Sequence, residues 1–272
     1  NRNRDQGDDV AIREVSDLFR QAKYALGRDR AVDIFFETER EFYVAKNRAA
    51  QIQLSRQQAC GFGWANQDHH TYRSSREAFQ SLILLWHSMG FIARERFYAG
   101  DQAGWGAQVM EHPVSRVVLF CDVDVAPHEL DINFANELLP EREQLWTIGL
   151  WCELHGGSIG AAGMHHLECE FNFEAASELM ESAGIGVMAP FTDLPVLRQA
   201  FTKAELWKVP EDRLEKLVVR GAISKEQAEK FATVGAPGSH LEILQRWEGF
   251  KGFNKTGVSS IIRDTDARLA NN

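Results

Sequence analysis

The chain has 272 residues, 44% of them hydrophobic and 25% charged, and it is long enough to bury a large core. Its net charge of -9 argues against a nucleic-acid-binding protein, because such proteins usually carry a basic face. The longest apolar stretches, such as residues 81–86, are far too short to span a bilayer, so we expect no membrane role.

The four cysteines of the chain are Cys60, Cys121, Cys152 and Cys169. None of them forms a CxxC pair, so neither a zinc ribbon nor a thioredoxin-like motif is expected. With no secretory signal in the sequence, unpaired thiols are typical of a reducing compartment. We therefore expect four reduced thiols and a cytoplasmic protein.

Residues 1–60 have the pattern of a helical lead-in. Apolar side chains recur at three- and four-residue spacings, which is typical of an amphipathic helix. Gly27 interrupts this pattern, and a second helix is predicted beyond it, through Phe35, Phe36 and Phe42. The apolar positions of the first helix are Val15, Leu18, Phe19, Ala22, Ala25 and Leu26.

Residues 61–126 predict a first module with one strand, one helix and three further strands. Ser75 is placed to cap the helix, and Gly90 ends it. Asp122 and Asp124 alternate on the last strand, where we expect them on an exposed face. The four strands are predicted at residues 69–73, 91–98, 105–111 and 116–125.

Residues 127–160 are predicted to form a mainly helical connector, and residues 161–272 a second module within the same compact domain. This module contains a helical insertion at residues 202–234, in which Ser224 and Gln227 have the capping-box spacing. The order of elements then predicts an α+β fold in which paired βαβββ modules form a β cup. The other elements are strands at residues 164–171, 185–189 and 239–246 and a helix at residues 174–183.

A pair of adjacent histidines lies on the first strand of each module: His69 with His70, and His165 with His166. Neighbours on a strand point to opposite faces, so each pair offers one imidazole to the interior of the cup. Two histidines and one carboxylate form the facial triad that holds non-haem Fe(II) and leaves positions open for substrate and oxygen. Glu242, on the last strand, is placed to supply the carboxylate.

The choice of ligands stays open at two points. A bulge in the strand would exchange His165 for His166, and His240 is a further candidate beside Glu242. A single histidine on a strand is also more often a hydrogen-bonded structural residue than a ligand. A metal site is favoured because the histidine pair recurs at the same position, the first strand, of two similar modules.

Four short stretches carry a family resemblance. They are residues 68–73 (DHHTYR), 164–167 (MHHL), 239–246 (SHLEILQR) and 249–254 (GFKGFN). Their order and spacing resemble the 2-oxoadipate dioxygenase/decarboxylase family, also called hydroxyglutarate synthase, within the vicinal oxygen chelate superfamily. The chain departs from the family at His165, where the family has Asn.

The resemblance implies a metalloenzyme in which His69, His166 and Glu242 hold Fe(II) or another divalent metal. Its substrates would be O2 and a 2-oxo dicarboxylic acid such as 2-oxoadipate, and its product a shorter 2-hydroxy acid such as 2-hydroxyglutarate, with loss of CO2. By analogy this reaction belongs to lysine catabolism. Arg73 lies four residues after His69 and would clamp the distal carboxylate, while Thr71 on the same face would line the pocket. Without the resemblance, Arg73 is as readily explained by a surface salt bridge.

Two alternatives remain at this level. The chain is also consistent with another metalloenzyme of the same superfamily, such as a ring-cleaving or other dioxygenase, a lyase or an isomerase acting on a different chelating substrate. A non-catalytic binding protein that keeps the cup without a working metal is the second. Oxygen consumption with 2-oxoadipate separates the first from the main hypothesis, and metal content in site variants separates the second.

Overall fold

The computed structural model describes residues 4, 6–64, 67–99, 104–170, 172–250, 252, 254 and 257–269; for residues 67, 68, 168 and 169 it describes the main chain only. Within these residues, helices cover one face of a curled, seven-stranded half-barrel sheet. Among the helices described, none combines the length and the apolar content that a membrane span requires. Cys60, Cys121 and Cys152 are free thiols, and the side chain of Cys169 lies outside the described residues.

Three helices precede the sheet: α1 (Asp8–Leu26), α2 (Arg28–Lys46) and α3 (Arg48–Ala59). Gly27 separates α1 from α2 with a φ of 81°, a conformation that strains any residue with a Cβ atom. Asn47 caps α3, since its side-chain oxygen accepts a hydrogen bond from the Ala50 amide at 2.8 Å. The apolar face of α1 is buried, through Ala11, Ile12, Val15 and Phe19.

The first module contains a helix and four strands in the predicted order. Ser75 caps the helix by accepting a hydrogen bond from the Ala78 amide, and Gly90 ends it in the left-handed conformation, with φ 97°. Both helix boundaries predicted from the sequence are therefore confirmed. The elements are β1 (Gln67–Arg73), α4 (Arg76–Met89), β2 (Ile92–Tyr98), β3 (Trp105–Glu111) and β4 (Val118–Asp124).

The connector contains much less helix than the sequence predicts. A single 3-10 turn at Pro127–Glu129 and the helix α5 (Thr147–His155) are its regular elements. Between them the chain is held by a side chain, because the guanidinium of Arg76 donates to the Glu129 carboxylate and to the Pro140 carbonyl. Residues 130–146, all of which the structure describes, form no helix, so the expectation of a mainly helical connector is corrected here.

The second module repeats the first, except that its second strand is reduced and an insertion precedes its last strand in the large sheet. Its capping box at Ser224 and Gln227 is confirmed, since each side chain bonds the main chain of the other. The strand predicted at residues 185–189 is reduced to one bridge between Val187 and Thr202. The elements are β5 (His166–Glu170), α6 (Phe173–Ser182), β6 (Leu197–Phe201), β7 (Leu206–Trp207), α7 (Glu211–Val219), α8 (Lys225–Thr233), β8 (Ala236–Pro237), β9 (His240–Arg246) and α9 (Gly257–Asp264).

The two modules join through their first strands. The strand order in the large sheet is β2-β3-β4-β1-β5-β9-β6. Within each module the first strand runs parallel to the last, β1 with β4 and β5 with β9, while β1 and β5 pair antiparallel at the centre. The predicted α+β class with paired modules, helical lead-in and helical insertion is confirmed, and the division into residue ranges stays a prediction.

The two faces of β1 have different surroundings. His70 and Tyr72 point towards the helices, where both rings pack edge-on against Phe36 and Tyr72 also packs against Trp86. Tyr72, Phe36 and Trp86 belong to the apolar core between the sheet and the helices α1, α2 and α4. The alternate residues of β1 therefore face the concave side of the sheet, as strand periodicity requires.

Candidate metal centre

The concave face of the sheet brings together residues from three strands. Thr71 and His166 lie directly opposite each other across the antiparallel pair of β1 and β5. Glu242 lies on β9, which runs parallel to β5 with His166 opposite His240. His69 precedes Thr71 by two residues and shares its face. The register of two strand pairs thus sets the separation of all three predicted ligand side chains.

The nitrogen and oxygen atoms of these side chains converge on one point. The Nε2 atoms of His69 and His166 are 3.1 Å apart. Oε2 of Glu242 lies 3.1 Å from Nε2 of His166 and 3.6 Å from Nε2 of His69. All three residues are buried. His69, His166 and Glu242 are also the group that meets the geometric requirement for holding an ion among the described His, Cys, Asp and Glu side chains.

The separations fit a single metal ion. Ligand atoms held at about 2.1 Å from one ion lie about 3.0 Å apart at right angles and about 3.4 Å apart at tetrahedral angles. The three observed separations, 3.1, 3.1 and 3.6 Å, are close to this range. A hydrogen-bonded His–Glu pair without an ion would need only one of the two imidazoles. The donor set of two nitrogens and one carboxylate oxygen suits a divalent transition metal.

The electrostatics of the site favour the same interpretation. Burial lowers the pKa of His166 well below its usual value, and the nearby His69 and Arg73 lower it further. His166 is therefore neutral near pH 7, the form in which an imidazole binds a metal. Glu242 is only 2% exposed, and a buried carboxylate is costly unless a cation or hydrogen bonds compensate it. Gln199 supplies one such bond, donating from Nε2 to Oε1 of Glu242 at 3.1 Å.

A small cavity lies in front of the three side chains. Its volume is about 40 Å³, which is room for a few water molecules. Thr71 lines it, with its Oγ1 atom 2.8 Å from Nε2 of His166. Helix α9 contributes three apolar side chains to the wall opposite the sheet. The apolar lining consists of Trp105, Phe120, Phe191, Phe201, Val258, Ile261 and Ile262.

Arg73 is fully buried beside this cavity rather than in its wall. Its Nε atom lies 3.9 Å from Oδ2 of Asp122, and Asp122 lines the cavity. Its Nη2 atom donates to Oγ1 of Thr265 at 3.1 Å, just beyond α9. Nε and Nη1 have no hydrogen-bond partner among the residues that the structure describes. Burial lowers the pKa of Arg73 to about 10 while Asp122 opposes this shift, so the guanidinium is charged at neutral pH.

Asp122 and Asp124 are not on an exposed face, and that expectation is wrong. Both are buried, because α5 and α9 cover this side of the sheet. The alternation along the strand does not by itself indicate whether that side is covered or exposed. Asp124 accepts hydrogen bonds from the amides of Trp146 and Ile148 and so caps the start of α5. Burial raises the pKa of Asp122 to about 7, although Arg73 and His69 lower it.

The remaining predicted alternatives lie close to the site. His165 points its Nδ1 atom at Nδ1 of His166, 3.1 Å away, from the side remote from Glu242. His240 uses its Nδ1 atom on the carbonyl of Thr202 at 2.8 Å. Neither belongs to the converging group, so the structure favours His166 over both. Sequence reasoning missed Gln199, because a glutamine on a short strand gives no signal of its contact with Glu242.

Comparison with known proteins gives only low similarity. No protein-family model matches the sequence, and no curated protein matches it. A variant of 4-hydroxymandelate synthase from Streptomyces coelicolor matches with a TM-score of 0.45 and 12% identity, over 74% of this chain and 54% of that one. The chain therefore spans about half the length of that protein.

Two further solved structures illustrate the range. Hydroxyglutarate synthase from Pseudomonas putida, in complex with 2-oxoadipate, matches with a TM-score of 0.38 and 15% identity, over 90% of this chain and 66% of that one. Methylmalonyl-CoA epimerase from Mycobacterium tuberculosis matches with a TM-score of 0.36 and 12% identity, over 66% of this chain and 87% of that one. Similarity at this level does not define a family for the chain.

Proposed function

We propose that this protein is a non-haem Fe(II) enzyme that uses O2 to decarboxylate and hydroxylate a 2-oxo dicarboxylic acid. The proposal is carried by one observation, the convergence of His69, His166 and Glu242 within 4.8 Å in a buried cavity. Two histidines and one carboxylate on one side of an ion leave the other side open to substrate and oxygen. The same three residues are those implied by the sequence resemblance.

Fe(II), when bound, would supply the redox chemistry that couples O2 to the loss of CO2 from a chelating 2-oxo acid. The reaction balances without another reductant. One oxygen atom of O2 enters the new carboxylate and the other becomes the hydroxyl group, while the former carboxyl group leaves as CO2. From 2-oxoadipate the product would be 2-hydroxyglutarate.

The protein's part in this reaction is to exclude water and to hold the substrate. The aromatic rings of Phe120 and Phe201 pack against His69 and His166, with centroids 4.4 and 4.9 Å apart, and keep the ligands in an apolar setting. Thr71 offers its hydroxyl group beside the metal position. Such a setting strengthens every electrostatic interaction in the site.

Arg73 would recognise the distal carboxylate of the substrate. It carries a positive charge at neutral pH, and two of its N–H groups lack acceptors among the described residues. A guanidinium presents its donors in a fork that matches a carboxylate. The pKa of Asp122 near 7 supports this role, since a protonated Asp122 would leave the charge of Arg73 to the substrate.

Substrate binding requires the cavity to enlarge. A volume of about 40 Å³ is well below the several hundred Å³ that pockets for small molecules usually have. Helix α9 supplies Val258, Ile261 and Ile262 to the wall, and it meets Arg73 through Thr265. A shift of α9 away from the sheet is therefore part of the proposed binding event.

A lyase or isomerase of the same fold is the second candidate. It is favoured by Asp122, whose pKa burial raises to about 7 and whose side chain lines the cavity. A carboxyl group that titrates near neutral pH is suited to move a proton to or from a metal-bound substrate. Such an enzyme would bind the same metal and would consume no oxygen.

The test combines metal analysis with oxygen uptake. Parent protein reconstituted anaerobically with Fe(II) is expected to hold one metal per chain and, with 2-oxoadipate, to consume one O2 for each CO2 and 2-hydroxyglutarate formed. His69→Ala, His166→Ala and Glu242→Ala should lose both properties, and the control His155→Ala, at a partly buried histidine outside the site, should keep them. Metal binding without oxygen uptake would redirect the search to the lyase or isomerase. Absence of metal from the parent would refute the site itself.

A second experiment addresses Arg73. Arg73→Lys keeps the charge and loses the planar fork, so KM for 2-oxoadipate should rise about 10-fold or more while kcat changes less. The monocarboxylic analogue 2-oxobutyrate lacks the distal carboxylate, and its KM should be similar in both proteins. An equal loss with both substrates would contradict the clamp.

A further inference from the structure

The side chains of His165 and His166, which are adjacent in sequence, form a hydrogen bond with each other. The Nδ1 atoms of His165 and His166 are 3.1 Å apart, and both side chains are buried. Two ring nitrogens at that distance accommodate one proton between them, because one must donate and the other must accept. The tautomer of either ring therefore determines the tautomer of the other.

We propose that His165 is a positioning residue that accepts the Nδ1 proton of His166 and thereby keeps the lone pair of His166 Nε2 available for a metal ion. This inference rests on the metal centre of the proposed function. In the opposite arrangement, with the proton on Nδ1 of His165, a neutral His166 carries its proton on Nε2. That proton would occupy the position in which Nε2 faces Glu242 and His69.

The main chain holds His165 in place for this task. Its amide donates to the carbonyl of Thr71 at 2.9 Å, and its carbonyl accepts from the amide of His240 at 3.0 Å. His165 is thus fixed at the junction where β1 and β9 flank the start of β5. A residue bonded on both sides in this way has little freedom to move its ring away from His166.

The surroundings of the ring limit its alternatives. Trp151 packs against it at a right angle, with centroids 5.5 Å apart, and its Nε1 atom is already bonded to the carbonyl of Gly238 at 2.7 Å. The ring of His240 lies 5.2 Å away, with Nδ1 used on Thr202. Among the described residues, the hydrogen bond of the His165 side chain is the one to His166.

The usual partner of a metal-bound imidazole is a carboxylate, a main-chain carbonyl or water. A neutral imidazole fixes the tautomer in the same way and adds no negative charge behind the ligand. Glu242 then remains the single anion of the three-residue group. The site would therefore bind a divalent ion with less charge compensation than one in which a carboxylate backs the histidine.

The first test uses the parent protein with Zn(II), a diamagnetic substitute, and 15N-labelled histidine. Long-range 1H–15N NMR should assign the proton of His166 to Nδ1 and that of His165 to Nε2 in the metal-bound protein. A proton on Nδ1 of His165 in that state would overturn the proposal. This measurement needs no substitution, so it decides the question even where a variant fails to fold.

The second test compares isosteric variants by Zn(II) affinity, measured by competition with a chelator. In His165→Asn the side-chain oxygen takes the place of Nδ1, so affinity should stay near that of the parent. His165→Gln places its polar group near Nε2 and His165→Leu has none, and both should bind about 10- to 100-fold more weakly. The control is His155→Leu, at a partly buried histidine whose Nε2 atom contacts the Pro237 carbonyl, and its affinity should resemble that of the parent.

The outcomes separate the two proposals. A parent protein that fails to bind Zn(II) would remove the metal centre and this inference with it. A parent that binds, together with His165→Leu and His165→Gln variants of equal affinity, would overturn only the role of His165. Loss of affinity in the Asn variant as well would show that ring packing, rather than the acceptor atom, is what matters, and would also overturn it.

Discussion

Thr71 and His166 face each other across the central strand pair, and Oγ1 of Thr71 lies 2.8 Å from Nε2 of His166. The same nitrogen lies 3.1 Å from Oε2 of Glu242. At the junction of the two modules, a hydroxyl group and a carboxylate therefore both lie within hydrogen-bond distance of one imidazole nitrogen. In the metal-free protein the hydroxyl group competes for the lone pair that the proposed metal would use.

Removal of that hydroxyl group should strengthen metal binding. Thr71→Val loses a hydrogen bond of about 0.5–1.5 kcal/mol, so Zn(II) affinity should rise by a factor of about 2 to 10. KM for the 2-oxo acid should rise at the same time, since Thr71 lines the cavity. Chelator competition measures the first effect, with Thr71→Ser as the hydroxyl-retaining control. Weaker metal binding in Thr71→Val would contradict the proposed competition.

The metal should stabilise the folded chain through His69, His166 and Glu242. A ligand at 100 times its Kd that binds only the folded state adds about 2.7 kcal/mol to the free energy of unfolding. Calorimetry should therefore show a higher Tm for the parent with Zn(II) and none of this increase for Glu242→Gln. His155→Ala should keep the increase, and its absence there would point to a nonspecific effect.

Above pH 7, where Asp122 is ionised, Arg73 and Asp122 should behave as a buried charge pair. Arg73→Leu leaves Asp122 without its cation, which should cost about 3–5 kcal/mol of unfolding free energy. The double variant Arg73→Leu with Asp122→Leu should cost clearly less than Arg73→Leu alone. Urea denaturation of the two single variants and the double variant measures this coupling, and simple additivity would show that the two side chains act independently.

Asp122 should make stability depend on pH. Burial raises the pKa of Asp122 to about 7 in the folded protein, from its usual value of 3.8. The folded state then binds this proton more tightly, so the contribution of Asp122 to the unfolding free energy is largest below pH 4 and is lost as pH rises to about 7. The upper limit of this decline is about 4 kcal/mol.

The comparison that isolates this effect is between the parent and Asp122→Asn, both in excess chelator. Burial also raises the pKa of Asp124 to about 6, and burial lowers the pKa of His155 to about 3. These groups act in both proteins and cancel in the difference. Asp122→Asn should gain stability relative to the parent between pH 4 and pH 8, as measured by urea denaturation. A difference that does not change with pH would contradict the raised pKa.

Much of the fold is set by local sequence. Ser75, Gly90 and Ser224 mark helix ends because caps and left-handed turns depend on a few neighbouring atoms. The alternation along β1 separates His70 and Tyr72, which face the helices, from His69 and Thr71 on the concave side, because strand periodicity is a property of the backbone. The division into modules rests on the same local patterns.

The convergence of the site depends on tertiary structure. His69 and His166 are 97 residues apart, and only the antiparallel register of β1 and β5 brings their Nε2 atoms within 3.1 Å. Glu242 reaches the same point through the parallel register of β5 and β9. A slip of one residue in either pair would turn a ligand to the opposite face, and no local pattern excludes such a slip.

The burial of Asp122 also could not be predicted from local sequence. An acidic residue that alternates on a strand has the same local sequence whether its face meets water or is closed by another element. Here α9 and Arg73 close that face. Their packing is driven by the burial of apolar side chains that are distant in sequence from Asp122. The sequence alone determined which side chains share a strand face. Long-range packing decided which face is shielded from water, because burial depends on how the elements pack together.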